Sequence, residues 1–194
     1  MGFFLNISRM VDAVTEWIGK AVAWFILAAI LVSAINAVVR KTLNISSNAY
    51  LEAQWYLFGA AFMLAAAYTL KQNEHIRVDI FYASRSRGTQ HWIDLFGHVF
   101  FLLPFVVLMT WLLVPYALQA FVSGEVSSNA GGLLIWPARA LLLAGFVLLL
   151  LQACSEIIKK VAVIRGLIDD PHPTISAKEA AELEVAALIK EIQK

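Results

Sequence analysis

Four stretches of this 194-residue chain, at about 21–39, 49–70, 92–118 and 133–155, are each apolar for long enough to cross a bilayer. A helical span needs about 20 mostly apolar residues to cover roughly 30 Å of hydrocarbon. That single pattern excludes a soluble globular domain and sets the expectation of an all-α integral membrane protein. The expected architecture is an N-terminal amphipathic segment (1–20), a four-span membrane domain (21–156) and a tail (157–194) carrying a C-terminal cytoplasmic helix. Composition agrees: 60% of residues are hydrophobic and 15% are charged, where a soluble domain carries about a quarter. The formal net charge of +1 gives no basic excess of the kind nucleic-acid binding needs. Cys154 is the one cysteine, so no internal disulfide can form, and burial as a small apolar residue is its expected role.

The first segment has Phe3, Phe4, Ile7, Met10, Val14 and Trp17 at helical spacing, with Arg9, Asp12, Glu16 and Lys20 between them. It reads either as the start of a long first span or as a helix lying in the membrane interface. In the first span, Ala29, Ser33 and Ala37 are four apart and Asn36 flanks them. Small residues at this spacing let another helix approach, and Asn36 could hydrogen-bond across the contact. Ala61 and Ala65 belong to a similar stripe on the second span. Glu52 is expected at the interface, because a carboxylate at the bilayer centre costs about 2.5–3.5 kcal/mol and the helix N-terminus favours it. Pro104 predicts a kink in the third span. Pro137 falls in the first turn of the fourth, where proline is tolerated. Residues 119–132 form a polar link, and Ser176 and Glu179 have capping-box spacing at the head of the tail helix.

With four spans both termini share one side. That side holds nine basic residues short of the distal tail (Arg9, Lys20, Lys71, Arg77, Arg85, Arg87, Lys159, Lys160, Arg165) against Arg40, Lys41 and Arg139 on the other. The bias predicts cytoplasmic termini. His91, Asp94 and His98 share one helix face, which suits either a metal or proton site or an interfacial polar patch; further ligands are lacking, so no metal and no cofactor is expected. Glu52 and Arg139 each start a span at similar depth and are candidates for an ion pair with each other or with a partner subunit, or for independent snorkelling. Nothing in the sequence suggests a catalytic group.

Three motifs then carry a resemblance. Asn73-Glu74-His75-Ile76-Arg77-Val78-Asp79-Ile80-Phe81-Tyr82 looks like the signature loop of the small permease subunit of TRAP transporters, the DctQ type. Ser47-Asn48-Ala49-Tyr50-Leu51-Glu52-Ala53-Gln54-Trp55 resembles that family's approach to span two, and Gly124-Glu125-Val126-Ser127-Ser128-Asn129-Ala130-Gly131-Gly132 with Trp136-Pro137 its approach to span four. The likeness runs from about Trp17 to Arg165. It implies a small membrane subunit of a tripartite, binding-protein-dependent secondary transporter for organic acids, sodium-coupled, in the bacterial inner membrane. It further implies that the chain scaffolds a large multi-span permease subunit of DctM type, which works with an extracytoplasmic substrate-binding protein. On this reading Glu52, Arg77, Asp79, Glu125 and Arg139 make structural or partner contacts, the chain itself holds no substrate or ion site, and membrane lipids surround it. Two other functions fit four apolar spans: a membrane anchor of a redox enzyme and a stand-alone small carrier.

Overall fold

The computed structural model describes residues 2–44, 47–73 and 85–170. Arg77, Asp79 and the rest of the 74–84 stretch lie outside the described residues, as does the tail from 171 with its Ser176–Glu179 capping box. Five α-helices carry the described chain: α1 (Gly2–Leu43), α2 (Asn48–Gln72), α3 (Arg87–Gly97), α4 (Leu103–Ser123) and α5 (Trp136–Ile164). A π-turn, His98–Leu102, joins α3 to α4 without a break. Four helical runs are therefore long and apolar enough to cross a membrane: α1, α2, α3 through α4, and α5. No strand occurs among the described residues; a single antiparallel bridge links Val126 and Leu134.

The amphipathic segment and the first span form one unbroken helix of 42 residues, about 63 Å long at 1.5 Å per residue. Its apolar side chains Phe3, Met10 and Trp17 point outward and are at least 70% exposed, while Ser8 and Thr15 are buried. The N-terminal half thus turns its polar face into the bundle. Where the sequence predicts a kink at Pro104, the structure has a π-turn, His98–Leu102. Proline cannot donate to the carbonyl four residues back, and the helix widens just before it, with the Leu103 amide reaching His98 O.

Helix α5 is the hub, packing against α1, α2 and α4, and α1 lies along α2. The apolar core is Leu70, Val106, Leu113, Phe146 and Ala153. The α2 face that enters the bundle is small: Ala60, Ala61 and Ala67 are buried, and Ala65 is half-buried. On α1 only Ala29 of the small-residue line is buried; Ser33 and Asn36 are half-buried and Ala37 is exposed. Two glycines set the closest helix approaches. A Cβ on Gly145 would lie 2.7 Å from Met63 Cβ and 3.0 Å from Met63 O, and one on Gly19 would enter the Tyr68 ring. Close backbone approach through small residues is how membrane helices gain packing energy without a hydrophobic driving force.

Gly145→Ala should therefore force α2 and α5 apart and cost about 1–3 kcal/mol. Gly59→Ala, where a Cβ meets nothing within 4 Å, should leave stability unchanged or raise it by about 0.5–1 kcal/mol. Thermal unfolding of the two variants in the same detergent checks the contrast.

Candidate functional site

Polar side chains gather at the two ends of the bundle. On α5, Arg139 and Lys159 are twenty residues apart, about 30 Å along a helix and close to the thickness of the hydrocarbon. On α2, Glu52 and Lys71 are nineteen apart, about 28 Å. The charges mark two levels with an apolar slab between them.

One level is built by the loop between α4 and α5. Helix α4 stops at Gly124, whose φ of +61° places it in the left-handed region. The loop folds back on itself: Ser127 N donates to Leu133 O at 2.9 Å and Ile135 N to Glu125 O at 3.0 Å. Gly131 has a φ of +71°, and a Cβ on Gly132 would strike Ser127 Cβ at 2.6 Å, so the Gly131-Gly132 pair is a requirement of the turn. One stripe of α2 holds this loop. Asn48 Nδ2 donates to Ala130 O at 3.0 Å, and Tyr56 OH to Leu134 O at 3.2 Å. Between them Glu52, only 3% exposed, accepts from Ser127 Oγ, from Asn129 Nδ2 at 2.8 Å and from Leu133 N at 2.6 Å. Three donors converge on one carboxylate in the second turn of α2, an arrangement that offsets its removal from water.

Arg139 completes this level by other means. It pairs with Glu125 at 2.8 Å, donates to Tyr116 O at 3.3 Å and stacks over the Tyr116 ring at 4.0 Å. The ion pair considered between Glu52 and Arg139 is therefore not formed. Matching depth put both at the same end, but the folded-back loop supplies each with a nearer partner. Glu52 ties α2 to the loop, and Arg139 ties α5 to α4.

The other level gathers the start of α1, the end of α2, the start of α3 and the end of α5. Lys159 Nζ reaches Asp12 Oδ2 at 2.9 Å and Glu156 Oε1 at 2.6 Å. Gln152, fully buried, donates to both Asp12 and Glu156 at 2.8 Å and accepts from Thr15 Oγ1 at 2.8 Å. Ser8 and Ser155 hydroxyls meet at 2.6 Å. Lys71 and Lys20 share Glu16, each at 2.7 Å, and Lys160 pairs with Asp94 at 2.9 Å. Each of the four apolar runs contributes at least one charge, so ion pairs join α1 to α2, α1 to α5 and α3 to α5 at this level.

The His91, Asp94 and His98 face is part of this level. Asp94 is engaged by Lys160, His91 Nε2 lies 3.8 Å from Asp170 Oδ2, and His98 Nδ1 is buried with no hydrogen bond among the described residues. No three His, Cys, Asp or Glu side chains among the described residues are placed to hold a metal. The groups that sequence reasoning passed over are Ser8, Asp12 and Thr15 on α1 and Gln152, Ser155, Glu156 and Lys159 on α5. Their signal was present: a polar stripe at i, i+3, i+4 and i+7 closing the last apolar block faces inward as readily as outward.

Two outcomes follow from these contacts. Glu52→Ala removes the common acceptor of Ser127, Asn129 and Leu133, and should speed proteolytic cleavage within 124–135 by roughly tenfold, read by gel under limiting protease. Lys159→Met leaves Asp12 and Glu156 uncompensated and should cost about 3 kcal/mol in detergent unfolding. Adding Asp12→Asn to Lys159→Met should recover part of that loss.

Residues 29–163 match the family described as tripartite ATP-independent periplasmic transporters, DctQ component. No curated protein and no solved structure matches the chain. The matched region runs from the middle of α1 nearly to the end of α5 and takes in part of the first apolar run, most or all of the other three and the whole Glu52 loop clamp. It is a transporter-component family and not an enzyme family. The chain is a multi-pass membrane protein and belongs to the DctQ family, the small membrane component of tripartite ATP-independent periplasmic transporters.

Proposed function

We propose that this chain is the scaffolding subunit of a sodium-coupled transporter for organic acids, seated against a large multi-span permease subunit that an extracytoplasmic binding protein supplies with substrate. The observation that carries the reading is how the charges are used. Glu52, Arg139, Glu125, Asp12, Glu156, Lys159, Lys160 and Asp94 are engaged in holding helices and loop together. A chain built this way contributes rigidity. Its outward faces favour a partner as well: Phe101 of the π-turn and Phe105, Trp111 and Phe121 of α4 are all more than half exposed, a surface suited to another membrane protein or to lipid.

The same reading puts the chain in the bacterial cytoplasmic membrane with both termini inside. The basic residues support this orientation. Lys20, Lys71, Lys159 and Lys160 meet at the termini end, while Arg40, Lys41 and Arg139 lie at the opposite end. Arg77 and Asp79 complete the proposed set of partner contacts, in the loop on the termini side.

The chain should co-purify in mild detergent with the large permease subunit. In proteoliposomes, uptake of a labelled organic acid should require both membrane subunits, the binding protein and an inward sodium gradient. Uptake that continues unchanged without this chain would remove the scaffolding role. A reporter active only outside the cytoplasm, fused at Gly88, should be silent.

A further inference from the structure

One stripe of α1 is polar, faces outward and is used by nothing else in the fold. Ser33, Asn36, Ala37, Arg40 and Lys41 follow one another along one helix face and, with Leu51 of α2, line an open groove at the loop end of the bundle. Ser33 and Asn36 are half-buried and make no side-chain hydrogen bond among the described residues, and Arg40 and Lys41 form no ion pair there. This sets them apart from Arg139 at the same end, which pairs with Glu125 and stacks on Tyr116. Two cations in the last turn complement the helix C-terminus, but that leaves an amide and a hydroxyl below them, at a depth where water is scarce and unmet polar groups are costly.

We propose that this groove binds an anionic phospholipid. The order of groups along the helix is the order of groups in the lipid. Arg40 and Lys41 meet the phosphate. Asn36, about 6 Å further in at 1.5 Å per residue, meets the glycerol ester oxygens. Ser33 lies about 10 Å in from Arg40, and with the small Ala37 it leaves room for the head of an acyl chain beside Leu51. Ile35 and Val38, both 61% exposed, flank the stripe, so the groove opens toward hydrocarbon and not toward bulk water. A dissolved anion would use the two cations but leave Asn36 unanswered; a phospholipid uses all three.

Native mass spectrometry of the delipidated full chain, offered equal amounts of palmitoyl-oleoyl phosphatidylglycerol and phosphatidylcholine, tests this. Preferential retention of phosphatidylglycerol is expected. Arg40→Gln with Lys41→Gln should cut the preference roughly tenfold, whereas Arg40→Lys with Lys41→Arg should keep it. Asn36→Ala should weaken retention of both lipids. Lys20→Gln removes a cation at the other polar level, about 30 Å from Arg40 along the same helix, and should change nothing. Far-UV circular dichroism checks that each variant remains helical, and the single variants Arg40→Gln and Lys41→Gln carry the readout if the double one does not. No preference in the wild type, or an equal loss in Lys20→Gln, would overturn the proposal. So would displacement of phosphatidylglycerol by an equal concentration of glycerol phosphate, which would show a soluble-anion site.

Discussion

Every charge that meets the bilayer here must have a partner or a place outside it, and the rest of the structure follows from where those charges are paired. Hydrocarbon offers no solvation, so an uncompensated ion inside it is excluded and a compensated one is confined to the edges. The two polar levels of this bundle lie one hydrocarbon thickness apart on α5 and on α2. Between them the helices have only small and apolar side chains to hold them, and the packing there is correspondingly unspecific except at Gly19 and Gly145. Specificity is concentrated at the ends. At one end Glu52 locks the α4–α5 loop, and at the other Asp12, Lys159 and their neighbours lock α1 to α5.

This division explains the inverted character of the first helix. In water an amphipathic helix buries its apolar face. Next to lipid there is no gain from doing so, because the lipid tails are as apolar as the protein interior. The polar face is the one with something to gain from burial, and Ser8, Asp12 and Thr15 bury it against the matching stripe of α5. Phe3, Met10, Val14 and Trp17 are left outside, together with an apolar groove between Ile7, Met10, Val11 and Val14 of α1 and Leu148 and Leu151 of α5. An α1 of about 63 Å is twice the hydrocarbon thickness, so it either tilts strongly or carries part of this apolar face past the bilayer edge.

How much of this was legible beforehand depended on whether the signal was local. The four spans were legible because an apolar run of this length has one physical outcome. The need for glycine at 131 and 132 was half-legible: the pair marked a turn, but the close approach of Gly132 to Ser127 needs the loop's return path. The insertion cost of a carboxylate assigns Glu52 to the interface, yet its partners lie 75 to 81 residues away, and equal depth suggests Arg139 in their stead. The Asp12–Lys159 network joins residues 147 apart. Its two halves were visible as separate polar stripes, each with an adequate bland explanation, and nothing local told them they faced each other. The three motifs that resemble the DctQ family cover the loop clamp but not α1's N-terminal half, which lies outside the matched region too.

The π-turn before Pro104 shows the same long-range demand acting on a backbone. Asp94 must face Lys160, and Val106 and Leu113 must face the core on the same side of α5. On a regular helix the twelve steps from Asp94 to Val106 turn through about 1200°, which leaves the two about 120° out of phase. The π-turn absorbs one residue, so eleven effective steps leave them only about 20° apart. Proline makes the site for this adjustment, since its missing amide already breaks the ladder at that turn. Pro104 with its π-turn and the buried Asp94–Lys160 pair are thus one device. The ionic level at the termini end and the apolar core below it can be satisfied by a single helix only because the register slips by one residue between them.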